Sequence, residues 1–234
     1  MPLNASDLGS REVWPTRYVP AGQPYIPSVN GGRLAFLPTL IAKATFTDAP
    51  AIVTNGISVS HAGAGVAGTT NMTLGGSLAS GGVATLSPAR NVVITVTHGT
   101  SIVAMNGVIT GKDLYGRVIT EAWSVTATGT SKTYTSARAF SSVTQITEVI
   151  AATAAANTII VGTGKVFALP FKAASSTIIS ELQDGAAPTA GVIVRGSSAA
   201  NVSYLGTYTP NSAPNGALDF EVWYLCDDPV TVQP

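Results

Sequence analysis

Charge is what this sequence has least of. Asp, Glu, Lys and Arg make up 10% of its 234 residues, against roughly 25% in an average soluble domain. Twelve basic and twelve acidic residues cancel to zero. No basic stripe is visible, so the electrostatic footprint of a nucleic-acid binder is missing. A soluble monomer that stays alone usually carries more charge to remain dispersed. The shortfall points to a surface covered by other copies of the chain or by a partner. A single cysteine, Cys226, excludes a disulfide framework, and it reads as a small apolar residue in a strand. The two histidines, His61 and His98, show no HxH or HExxH spacing and fall short of the three or four ligands of a zinc site. No run of about 18 apolar residues is available to span a membrane. The opening residues 1–10 carry Asp7 and no apolar run, so the expectation is synthesis in a cytosol without a signal peptide.

Catalytic constellations are as scarce as charge. A Gly-x-Ser-x-Gly elbow is absent. The run Gly162-Thr163-Gly164-Lys165 superficially resembles a phosphate loop. That motif needs a strand before it and a helix after it, whereas here the flanks on both sides read as strands and the run as the turn between them. Candidate carboxylate pairs are Asp113 with Glu121 and Asp219 with Glu221, the minimum a glycosidase uses. Asp113 is better explained as a turn residue. Asp219, Glu221 and Trp223 share one strand face, which suits either sugar binding or an interface anchor, Trp being enriched at contact hot spots. The reading is a non-enzymatic protein with no cofactor and no metal.

What is present is β chemistry. Hydrophobic residues make up 45%, enough for a real core. Residues 1–50 are punctuated by seven prolines, Pro2, Pro15, Pro20, Pro24, Pro27, Pro38 and Pro50, each of which removes a ladder donor. Trp14, Tyr18 and Tyr25 sit between them and offer large apolar area. This reads as an extended arm, with those three aromatics as its contact residues. Residues 51–90 are rich in Gly, Ala and Thr and suggest short strands joined by glycine turns.

Residues 91–234 carry the sharpest strand signal and are assigned to one β domain. Val92, Ile94 and Val96 alternate with Val93, Thr95 and Thr97, the period-two pattern of a half-buried strand. Asp113-Leu114-Tyr115-Gly116 has turn chemistry and marks a hairpin tip. Further strands are expected at 139–147, 158–161, 166–171, 177–182, 192–195, 202–208 and 218–226. Turn signals every 8–12 residues or so suit an antiparallel sandwich or barrel.

Two positions stand out. Ile119, Glu121, Trp123 and Val125 fall on one face, which puts a carboxylate in an apolar row. Burying it unpaired costs several kcal/mol, so a structural ion pair is expected, with Arg138 as partner and Arg117 as the alternative. In the last strand, Leu218, Phe220, Val222, Tyr224 and Cys226 read as the core face. Trp223, on the other face, reads as a second contact.

The stretches "ARNVVITVTHGTSIVAMNGVITGKDLYGRVITEAWSV", "ARAFSSVTQITEV" and "NTIIVGTGKVFALPF", all within residues 89–171, resemble a pattern of the head decoration, or capsid cement, proteins of tailed bacteriophages. The resemblance implies an all-β, jelly-roll-like antiparallel sandwich. It also implies a homotrimer that binds the major capsid protein on the outside of the virion and clamps neighbouring capsomers. The expectation from a different class is a receptor- or glycan-binding head-fibre or tail protein.

Overall fold

Thirteen strands form among the described residues of the computed structural model, which are 40–63, 67–126, 128–150 and 157–227. They are β1 (Leu40–Phe46), β2 (Ser58–Ala62), β3 (Gly68–Asn71), β4 (Ala79–Ser80), β5 (Val83–Thr97), β6 (Met105–Lys112), β7 (Val118–Val125), β8 (Ser131–Ile150), β9 (Thr158–Ala168), β10 (Ala173–Gln183), β11 (Val192–Arg195), β12 (Gly206–Thr209) and β13 (Phe220–Cys226). The strands pair antiparallel in two sheets. A small sheet runs β1-β13-β10, and a ten-stranded sheet runs β11-β12-β9-β5-β8-β6-β7, with β2 on β9, β3 on β8 and β4 on β5.

Two cores arise from the inward halves of these alternating strands. The large sheet curls, and Val92, Ile94 and Val96 of β5 meet Ile109, Trp123, Phe140, Ile146 and Val161 inside the curl. The small sheet covers the other end. Its Ala42, Phe46, Phe220, Val222 and Tyr224 pack on Phe167, Ile193 and Tyr208 of the large sheet. The Phe46 and Phe167 rings stack at 4.6 Å. Outward partners in the same strands, such as Ile41 and Lys43 in β1, stay exposed, as period two requires.

Arg90 marks the junction of the cores. Its buried guanidinium donates to Pro50 O at 2.8 Å and Ala51 O at 3.2 Å and lies 5.0 Å from the Phe167 ring centre. It thereby ties the β1–β2 connection to β5. Burial pushes its pKa down to about 10.

Several expected boundaries change. The division at residue 90 falls inside β5, and Ile57, Met72 and Leu74 share the core of Val92 and Ile94. Residues 51–90 are therefore continuous with the β domain expected from residue 91. The arm expected over 1–50 ends sooner, because Leu40–Phe46 is a paired strand. Its residues 1–39 lie outside the described residues.

The expected turn at Gly162–Lys165 is the middle of one continuous strand, β9, whose pairing with β5 shifts register between Arg90 and Val92. A bulge there absorbs the extra residues without ending the strand. The expected hairpin at Asp113–Gly116 forms, with Gly116 N donating to Asp113 O and Gly116 at φ 79°.

Close strand approach sets one further requirement. A Cβ at Gly107 in β6 would run into the Thr147 carbonyl and the Trp123 indole nitrogen. Gly107→Ala is expected to cost about 1–3 kcal/mol through overpacking, read as a lower thermal midpoint. An unchanged midpoint would show that β6 and β8 are not this close.

Candidate docking surface

Glu121 lies on β7, the end strand of the large sheet, and the curl brings β7 against residues 134–138 of β8. The carboxylate is buried. It accepts the Tyr134 hydroxyl at 2.7 Å, the Ala137 N–H at 2.7 Å and the Arg138 N–H at 2.8 Å. The expected ion pair with Arg138 is thus corrected. Arg138 does meet Glu121, but through its main chain, while its guanidinium reaches past to donate to Thr120 O at 2.9 Å. Three donors satisfy the buried charge without a countercharge. Tyr134 and Arg138 also bond Ala122 O and Thr120 O. These are carbonyls of β7, so side chains stitch the seam.

Arg117, the other expected partner of Glu121, pairs instead with Asp113 (Nε to Oδ2, 2.7 Å). Asp113 Oδ1 also accepts the N–H groups of Tyr115 and Arg117 at 2.9 and 3.0 Å, which holds the β6–β7 tip. That tip presents Leu114 and Tyr115 to solvent, Tyr115 being 58% exposed. The Tyr115 hydroxyl donates to Pro170 O, and Phe171 is exposed beside it. The Arg117 guanidinium stands 4.7 Å from the Tyr204 ring centre, and Lys172 Nζ stands 5.4 Å from the same ring.

A cleft of about 230 Å³ opens between this tip and the loop that ends at β12. Leu114, Ile119, Ala139, Ala168, Val202 and Leu205 form its apolar lining, and Arg138, Tyr204 and three serines its polar wall. Apolar side chains, aromatic rings and cations are concentrated here, which is the composition of a contact hot spot.

Trp223 sits elsewhere. It is half-buried on the outward face of the small sheet, opposite Lys43. Lys43 Nζ lies 4.8 Å from its ring centre and 2.8 Å from Glu221 Oε2. Asp219 Oδ1 accepts the Asp48 N–H at 2.7 Å. Both carboxylates that would frame a sugar on Trp223 therefore already hold partners.

The structure brings Glu121 and Arg138 together and leaves Trp223 apart from them. Trp14, Tyr18 and Tyr25 lie outside the described residues. His98 caps a turn, its Nδ1 accepting the Thr100 and Ser101 N–H groups, and His61 Nε2 lies 3.3 Å from the buried Glu148. No group of three or more His, Cys, Asp or Glu among the described residues is placed to hold a metal ion. Sequence reasoning missed Tyr134, Tyr204 and Lys172. Of these, only Tyr134 had a local signal, as an aromatic at period two in "KTYTSARAF".

The seam makes two expectations. Glu121→Gln turns an amide N–H toward three donors and should cost about 1.5–3 kcal/mol, the range for hydrogen bonds to a charged group, read from urea midpoints. An unchanged midpoint would show that the carboxylate is not the clasp. Alkaline pH is the second. Burial, then the bond to Glu121, raises the Tyr134 phenol above its ordinary 10.0. Tyr208 rises through burial and its bond to Glu181, and Tyr224 mainly through burial.

A phenol raised on folding stabilises fully below the unfolded value near pH 10, and that contribution is lost as pH climbs toward the folded value. Arg90, lowered on folding, acts in the opposite sense between about 10 and 12.5. With three phenols against one guanidinium, stability should fall above pH 10, and less steeply in Tyr134→Phe. Circular dichroism across pH 8–12 reads both, and equal slopes would contradict the Tyr134 assignment.

A scan against protein-family models, a search of curated proteins and a search of solved structures each returned no match to this chain.

Proposed function

We propose that this chain is a structural protein of a virus particle, a head decoration or cement protein of a tailed phage. In this reading the two packed sheets are a jelly-roll-like sandwich. Residues 1–39 and the start of β1 form the arm, and the protein coats the capsid exterior as a homotrimer after synthesis in the host cytoplasm. Its partners are the major capsid protein and its own copies. Trp14, Tyr18 and Tyr25 are its arm contacts, with Trp223 as a second anchor.

The observation that carries the reading is the pairing of sparse charge with outward apolar side chains. Val118 is 70% exposed and Ile41 64%, and the tip residues Leu114, Tyr115 and Phe171 form a cluster around a cleft. Single exposed apolar residues are ordinary, whereas a cluster flanked by cations suits a covered contact. Each square ångström of apolar surface covered contributes about 25 cal/mol, and linked sites engaging together multiply the effect. The buried groups Glu121, Glu181 and Arg90 serve structure: Glu121 closes a seam, Glu181 accepts Tyr208 and Gly191, and Arg90 ties a connection.

The test is sedimentation of particles from the native lysate through a density gradient. The protein should travel with shells in a fixed ratio to the major shell protein. A variant lacking residues 1–30 should keep its β circular dichroism and stay at the top. Absence from the particle fraction would end the proposal, and normal co-sedimentation of the truncated form would end the arm's part in it.

A further inference from the structure

We infer that the cleft behind the β6–β7 tip is the seat of the chain's own segment just before β1, with Phe36 as the side chain that fills it. The argument begins with where that segment joins the fold. Leu40, the first residue of β1, pairs with Cys226, and Cys226 pairs with Ala173. Ala173 N donates to Leu205 O, and Gly196 N donates to Ala173 O. Leu205 lines the cleft, and Gly196 precedes Ser197 in its wall. The chain therefore enters the small sheet about three strand spacings, roughly 15 Å, from the cleft. Phe36 precedes Leu40 by four residues, which span about 14 Å when extended, and its side chain adds the remaining reach.

The cleft matches that occupant in size and chemistry. An apolar cavity of about 150 Å³ accepts a benzene ring, and this one measures about 230 Å³ with a largely apolar lining. Cations already face aromatic surface here, since Arg117 and Lys172 flank Tyr204. The Arg138 side chain in the cleft wall offers an incoming ring the same kind of contact. A track of exposed apolar side chains leads from the sheet end to the cleft. Tyr224, in the row of Ala42, bonds Phe171 through its hydroxyl, and Tyr115 bonds Pro170. Leu114 then lines the cleft itself.

The sequence before β1, Leu34-Ala35-Phe36-Leu37-Pro38, is apolar enough to follow that track. Pro38 has no N–H with which to extend the ladder on β13. Anchoring at Phe36 would fix the point from which Trp14, Tyr18 and Tyr25 depart.

The test uses the full chain with Phe36→Cys and Ser198→Cys, oxidised mildly and read by non-reducing electrophoresis and peptide mass. The expected product is an intramolecular disulfide that fails to form when Asn30→Cys replaces Phe36→Cys. A disulfide-linked dimer would place a second copy in the cleft and overturn the inference, as would no linkage. Amide exchange across residues 197–205 gives an independent reading. It should accelerate by about tenfold in Phe36→Ala if the ring protects that loop against local opening, and unchanged exchange would overturn the inference whatever the cross-link shows. Neither readout involves particle binding, so a failure here leaves the particle proposal standing, and a failure there leaves this one standing.

Discussion

One buried carboxylate decides how the large sheet ends. A ten-stranded sheet has two edges, and an open edge exposes ladder groups that invite pairing with other chains. On the β7 side the curl returns the edge toward β8, and Glu121 receives two main-chain N–H groups and a phenol from the facing segment. Tyr134 and Arg138 then cap two β7 carbonyls. Side chains do there what a further strand would do in a closed barrel. The apolar row of Ile119, Trp123 and Val125 needs this closure, because it is the curl that buries Trp123 and Val125.

The rest of the architecture depends on two long strands that serve both cores. β5 carries Val92, Ile94 and Val96 into the curl and Arg90 to the junction. β9 contributes Ile159 and Val161 to the first core and Phe167 to the second. The small sheet then needs only to cover Phe167, Ile193 and Tyr208, which it does with alternate residues of β1 and β13. Shared strands make the two cores one cooperative unit. They leave the outward faces, the hairpin tip and the cleft as the places where a neighbour can add contact.

Much of this was legible in sequence, for physical reasons that are easy to name. Alternation in 92–97 and 220–226 identified the inward faces, since a side-chain period of two leaves no other assignment once one face is buried. Asp113 and Gly116 supplied the chemistry their turn requires. Strand continuity was harder to read. Gly162 and Gly164 look like a turn on local propensity, yet they are retained in β9 because the carbonyl of Val53 and the Asn91 side chain approach where a Cβ would stand. That is a tertiary demand with no local mark. The Glu121 environment was half legible. The alternation showed that the carboxylate is buried, but whether its donors are a guanidinium or main-chain amides depends on how far the sheet curls. The cleft was not legible at all, because it joins a tip near residue 114 to a loop near residue 203.

The central claim is that the exposed apolar side chains of this molecule exist to be covered by neighbours. Oxidative footprinting of the free chain and of the same chain within native particles, read by peptide mass at Ile41, Tyr115 and Phe171, tests it most directly. The account predicts strong labelling of all three in the free chain and protection of the tip residues in the particle. Equal labelling in both states would contradict it.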